Sequence, residues 1–236
     1  MISNGARRTD LPVLAFATCA GDTRAGRVAN WLVMHAREPM LAEYTPDSCI
    51  AATRLCVTLA TAAGVAARPL PLRAVAANRA TTKDWTRTGV LPTAHPNRPL
   101  DPHAPWAVGI GFGPPDADPA SRPGRYNGHL ACLLEPDEPD AMACLVDLAL
   151  DQAARPERFL VLGAVSLPVS AEFLAGQSVA YRLLPPPNGA DPCAVFYLVN
   201  PHDDETWRLS RDWLDTGRQM PLAAGLARRL LKDLER

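Results

Sequence analysis

Lysine is almost missing from this chain: of its 24 Lys and Arg residues only Lys83 and Lys232 are lysine. The 25 Asp and Glu residues balance these cations to a net charge of -1, so there is no excess of positive charge to seek a polyanion. Nucleic acid is therefore not an expected partner. Long apolar runs are also lacking. None approaches the ~18 residues of a membrane span, so no membrane is expected either. The six cysteines include no C-x-x-C pair, which excludes a zinc ribbon and a thioredoxin-type redox motif. Stretches of the form G-x-x-x-x-G-K-[ST], H-E-x-x-H, G-x-S-x-G and N-x-[ST] do not occur. The segment from Met1 to Asp10 is polar with two arginines, and the apolar stretch after it soon meets Gly21-Asp22. That is not the form of a secretory leader, and the expectation is a cytoplasmic protein with reduced thiols.

What is present in excess is arginine, alanine and proline, the accent of a GC-rich bacterial genome. With 236 residues, 47% hydrophobic and 21% charged, the chain has the material for one domain spanning residues 1–236. Nine of its 24 prolines fall between Pro92 and Pro123, so 92–123 is expected to be a long irregular loop, a lid or substrate-binding segment. Within it only Trp106 to Ile110 reads as a strand. Gly109-Ile110-Gly111-Phe112-Gly113 lacks the helix a nucleotide loop needs, because Pro114-Pro115 follows.

Apolar spacing predicts one helix over 24–43 and a second from Cys49 to Ala63, started by Pro46-Asp47-Ser48 and stopped by Gly64. Ile50, Thr53, Leu55, Cys56 and Leu59 are its expected inward positions. Residues 66–78 read as extended, and their prolines point to a sheet edge or a strand's beginning. Two apolar runs, 128–134 and 142–148, flank an acidic turn containing proline, the pattern of an antiparallel hairpin. Further strands are expected in 159–169, 178–184 and 194–199. Leu222, Leu226, Leu230 and Leu234 at spacing four predict a C-terminal helix over 221–234. The stretch from Trp207 to Trp213 is expected to pack this tail. Helices first and strands after favour an α+β fold with N-terminal helices on an antiparallel sheet.

A thiol attacks as its thiolate, which the unpaired amides at a helix N-terminus stabilise. Cys49 is the cysteine placed in this way. It needs a base, and His129 on one strand, held by Asp147 on the next, supplies one. Asp151, four residues after Asp147, would share its face on a continuing strand and is the rival for the orienting role. Gln152 offers an oxyanion-hole or substrate contact, or a plain hydrogen bond to a loop. Ser48 is a further candidate contact beside Cys49. Arg54, one turn after Cys49, offers either a carboxylate-binding group or a salt bridge. His35, His95, His103 and His202 lack such settings, although His95 and His103 flank the proline-rich loop. Each triad member also has a plainer role: a small buried hydrophobe for Cys49, a core histidine for His129, a turn cap for Asp147.

The segment Pro46-Asp47-Ser48-Cys49-Ile50-Ala51-Ala52-Thr53-Arg54, the helix ending at Gly64, Gly128-His129 on one strand and Val146-Asp147-Leu148 on the next resemble the transglutaminase-like branch of the papain-like thiol enzymes. A set of actinobacterial proteins has the same layout, including the continuation Asp151-Gln152-Ala153-Ala154-Arg155-Pro156. The resemblance covers a core of about 44–160 and implies a Cys49 nucleophile, a His129 base and an Asp147 orienting acid. Leu130 stands where many members carry an aromatic residue, and Leu148-Ala149 where many carry Pro-Thr. Arylamine N-acetyltransferases share the Cys-His-Asp order, but their Arg-Gly-Gly approach to the cysteine is absent. The implied activity is acyl transfer through a thioester, on a protein, peptide or small amide, with no cofactor and no metal. A non-catalytic binding or assembly protein on the same fold is the alternative.

Overall fold

The computed structural model describes residues 15–44, 48–90, 104–111, 126, 128–138, 140–154, 160, 162–185, 192–200 and 205–236. The first described strand, β1 (Ala15–Phe16), leads to helix α1 (Arg24–His35), capped by Thr23, whose hydroxyl accepts from the Gly26 amide at 3.0 Å. A second helix, α2 (Arg37–Glu43), follows at once, so the single helix expected over 24–43 is two. Pro39 is the cause. It has no N–H to offer the His35 carbonyl and its ring crowds that turn. Helix α3 (Cys49–Ala62) runs as expected, with Ile50, Thr53, Leu55, Cys56 and Leu59 buried and Gly64 in the left-handed region at φ 72°. Ser48 occupies its N-cap without a side-chain capping bond.

Strand β2 (Ala67–Ala77) is not an edge. Helix α4 (Arg79–Thr88) and strand β3 (Ala107–Ile110) come next, then the hairpin β4 (His129–Leu134) and β5 (Ala143–Asp147). Beyond them lie β6 (Ala164–Val169), the short helix α5 (Ala171–Leu174), β7 (Ala180–Leu184) and β8 (Cys193–Val199). The eight strands form one sheet in the order β1-β6-β5-β4-β2-β8-β7, with β3 also on β2. Only β1 and β6 run parallel; every other pair is antiparallel.

The prolines of β2 are accommodated by where its partners stop. Strand β8 pairs with residues 72–77 of β2, and the Pro71 carbonyl accepts from the Asn200 amide just beyond that ladder. A strand residue's nitrogen and carbonyl face the same side, so the nitrogens of Pro71 and Pro69 face a side on which no ladder bond is required. Pro69 and Pro71 thus lie at the strand's beginning, the second of the two places expected for them, while β2 itself stands between β4 and β8.

On its other side β2 changes partner. Strand β4 pairs with it as far as Leu72↔His129, and β3 takes over at Ala74↔Ile110. Gly111 sits at the changeover with φ 78°, and a Cβ there would stand 2.8 Å from the Leu72 carbonyl oxygen and 2.9 Å from the His129 nitrogen. Neither backbone atom can yield cheaply. Gly111→Ala is therefore expected to destabilise the fold by about 1–3 kcal/mol, read as a shifted urea midpoint.

The sheet carries an apolar layer on each face. Residues Leu130, Cys132, Cys144 and Val146 face α1 and α3, whereas Ala131, Leu133 and Leu145 face a second cluster that includes Phe173 and Tyr197. Leu55 and Leu59 of α3 are fully buried in the first layer, each contributing about 1.5–3 kcal/mol by leaving water. Helix α4 lays Trp85 edge-on against Phe196 of β8. The turn Thr206–Leu209 and helix α6 (Arg211–Leu214) bring Trp207 edge-on to Trp213, as the tail-packing expectation requires.

Helix α7 (Thr216–Leu234) begins five residues before Pro221. Asp215 caps it, and Pro221 removes only the bond to the exposed Gly217 carbonyl. Leu226 and Leu230 are buried, and Gln219 donates to the Ala51 carbonyl at 2.7 Å, fixing α7 on the outer side of α3. The fold is thus α+β, with the early helices packed on a sheet that is antiparallel except at one edge. No helix among the described residues is long and apolar enough to cross a membrane.

Candidate active site

Three elements converge at the end of the sheet: the N-terminus of α3, the first residue of β4 and the last residue of β5. In the β4–β5 ladder Cys132 faces Val146, which sets Ala131 opposite Asp147 and makes His129, two residues from Ala131 on the same face, a diagonal neighbour of Asp147. Their side chains meet, with His129 Nε2 2.7 Å from Asp147 Oδ2. Both are fully buried, at 0% and 1% exposure.

Asp147 is saturated with donors. Its Oδ1 accepts from the Ala149 amide at 2.9 Å, and its Oδ2 also accepts from the Tyr197 hydroxyl at 3.0 Å. Burial alone would raise the carboxyl pKa, but His129, the Ala149 amide and Tyr197 together hold it below its ordinary value. Burial likewise disfavours the charged imidazole, yet Asp147 and then Cys49 outweigh it and carry the His129 pKa up to about 10. The Tyr197 hydroxyl is pushed well above its usual value by burial and by the same carboxylate.

The other face of the ring meets the nucleophile candidate. Cys49, 7% exposed at the first residue of α3, lies close enough to His129 to help raise its pKa. One turn on, the Thr53 hydroxyl donates to the Leu130 carbonyl at 2.9 Å, tying α3 to the residue after His129. The structure thus brings Cys49 and Asp147 together around the His129 ring. The comparison with known proteins adds nothing to this geometry: no family model, no curated protein and no solved structure matches the chain.

Gln152 joins the same cluster, its Nε2 3.1 Å from His129 Nδ1. A neutral ring accepts at Nδ1 and a charged ring donates there, so the Gln152 amide serves one state through nitrogen and the other through oxygen by turning over. Asp151 does not share the strand face of Asp147. Strand β5 ends at Asp147 and residues 150–153 form a 3-10 turn, which breaks the alternation that reading needed.

Arg54 lies away from the triad, donating to the Asp212 carbonyl at 3.3 Å. It holds α6 on α3, and among the described residues it makes no side-chain salt bridge. Ser48 lines a cavity of about 390 Å³ with Glu43, Tyr44, Asp212 and Arg218. His35 is exposed and lies tilted against the Trp31 ring. His95, His103 and His202 lie outside the described residues, as does 92–123 except for 104–111.

Two contributors escape the sequence reading. Tyr197 is fifty residues from Asp147 on a strand that does not pair with β5, and nothing local marks it. Buried Arg37 of α2 has its pKa lowered by burial to about 10, a shift the Asp147 charge partly offsets. Thr53 carries a signal: it stands four residues after Cys49, on the same helix face. No group of three or more His, Cys, Asp or Glu among the described residues is arranged to hold a metal ion.

Proposed function

We propose that this chain is a cysteine-dependent acyl-transfer enzyme acting on an amide or ester of a protein, peptide or small molecule. Cys49 sulfur attacks the carbonyl carbon with its proton already on the His129 ring, which Asp147 keeps charged at neutral pH. The tetrahedral intermediate collapses to a Cys49 thioester, and the leaving amine or alcohol departs with the proton His129 returns. Water or an amine then attacks the thioester, again through His129. Asp147 positions the ring and balances its charge. In this reading the first-turn amides of α3, the Cys49 N–H included, receive the developing oxyanion.

The observation that carries this reading is the His129 ring bridging Cys49 and Asp147. A merely structural histidine has no need of a thiol at the head of a helix on one side and a fully satisfied buried carboxylate on the other. The burial of all three groups favours a second reading, a non-catalytic binding or assembly protein on the same fold. A thiol-alkylating probe separates the two. Cys49 is expected to label at least tenfold faster than Cys56 or Cys132, whose thiols burial pushes well above the ordinary pKa. The preference disappears in His129→Ala. Equal, slow labelling of every cysteine supports the non-catalytic protein.

A further inference from the structure

A second pair of sulfurs lies in the helical layer, outside the triad. Cys19 follows β1, where Thr18 donates from its amide to the Ser166 hydroxyl and from its own hydroxyl to the Ser166 carbonyl. The Cys19 amide donates to Asn30 Oδ1 at 3.1 Å, and Asn30 Nδ2 donates to the Cys19 carbonyl at 2.9 Å. The Ser166 hydroxyl closes the set by donating to Asn30 Oδ1 at 2.8 Å. These bonds fix Cys19 over β6. Ser166 faces Val146 in the β5–β6 ladder, and the next residue on that face of β5 is Cys144.

Both cysteines belong to the same buried cluster, with 6% and 3% exposure, and neither is in a disulfide. Each thiol perturbs the other, so the two are neighbours within that cluster. We propose that Cys19 and Cys144 form an oxidisable dithiol that a peroxide converts into an intramolecular disulfide, fastening the segment after β1 to β5. Two thiols held as neighbours in one buried cluster need little movement to reach bonding distance.

The two sulfurs have different parts. Their contact and burial raise the Cys19 pKa, and the same contact lowers that of Cys144. In this scheme the Cys144 thiolate attacks the peroxide. An S–O bond forms, the O–O bond breaks, and water leaves with the proton, giving a sulfenic acid. The Cys19 sulfur then attacks the Cys144 sulfur, forming S–S and breaking S–O, and its proton departs in a second water. The thiols lose two electrons and one hydrogen peroxide becomes two waters. The bond reinforces a strand that, among the described residues, holds β6 through two residue pairs.

The test treats the reduced full chain with hydrogen peroxide, blocks remaining thiols under denaturing conditions and maps peptides without reduction. The Cys19 and Cys144 peptides are expected to be joined, lighter by two hydrogens, before any other pair forms. The thermal midpoint should rise by roughly 5 °C or more and fall again on reduction. In Cys19→Ser the link is lost and dimedone captures Cys144 as its sulfenic acid. Cys49→Ala should cross-link as fast as the parent chain, which keeps this result separate from the acyl-transfer reading. A link forming no faster in the folded chain than in urea, or an earlier link between other cysteines, overturns the proposal.

Discussion

Cys49→Ala is expected to abolish acyl transfer while leaving the fold in place. p-Nitrophenyl acetate, a small activated ester, serves as the probe. The parent chain should release a burst of about one nitrophenolate per protein molecule as its thiol is acylated, followed by slower turnover as the thioester is resolved. The intact mass should rise by one acetyl group, located on the peptide that carries Cys49. In Cys49→Ala both burst and adduct vanish, and turnover falls by roughly 10⁴-fold or more. His129→Ala keeps the thiol and loses the base, so acylation slows by about 10²–10⁴-fold without the adduct moving to another residue. Structural cost is small at Cys49, where the change removes one sulfur from a helix end that is not wholly enclosed. Acetylation spread over several cysteines, or a burst that survives Cys49→Ala, would sink the assignment.

Much of this site was legible in the sequence because its parts depend on local rules. A helix that starts near residue 49 and stops at Gly64 puts Cys49 in its first turn whatever else the chain does. A hairpin around an acidic turn brings 129 and 147 close, since antiparallel pairing fixes the sum of the paired residue numbers. Non-local packing was not legible. Whether β2 lies at an edge depends on which strands arrive later in the chain, and the prolines disclose only that one side of its beginning lacks a ladder partner. Tyr197 reaches Asp147 from a strand that never pairs with β5, so no spacing announces it. The break at Ala36 could have been foreseen, because Pro39 has no N–H for the turn before it. Arg54 was misjudged for another reason: its partner is a backbone carbonyl at the entry to α6, and carbonyls have no residue signature.

Asp147→Ala is expected to have the largest effect on stability of any change in the site. The carboxylate receives His129 at 2.7 Å, the Ala149 amide and the Tyr197 hydroxyl, all out of water. Removing it strands three donors in a dry interior, and breaking a buried pair of this kind costs about 3–5 kcal/mol. For a chain of this size that lowers the thermal midpoint by roughly 10 °C. The pH dependence carries a second signature. Because the His129 pKa is raised from 6.5 to about 10, its contribution to stability is complete below pH 6.5 and fades as pH climbs toward 10. Because that of Asp147 is lowered from 3.8, its contribution is present above that pH and fades as pH falls below it. The parent chain should therefore be most stable between about pH 4 and 6.5, with denaturant midpoints declining on both sides, and Asp147→Ala should flatten both limbs. Asp147→Asn separates structure from mechanism. With its oxygen in place of Oδ1 an amide still accepts from Ala149, and its NH2 can donate to the Tyr197 hydroxyl, so it should recover part of the midpoint, yet it cannot balance an imidazolium and should leave ester turnover down by about 10³–10⁴-fold. A variant that regained stability and activity together would show the carboxylate to be only a packing group.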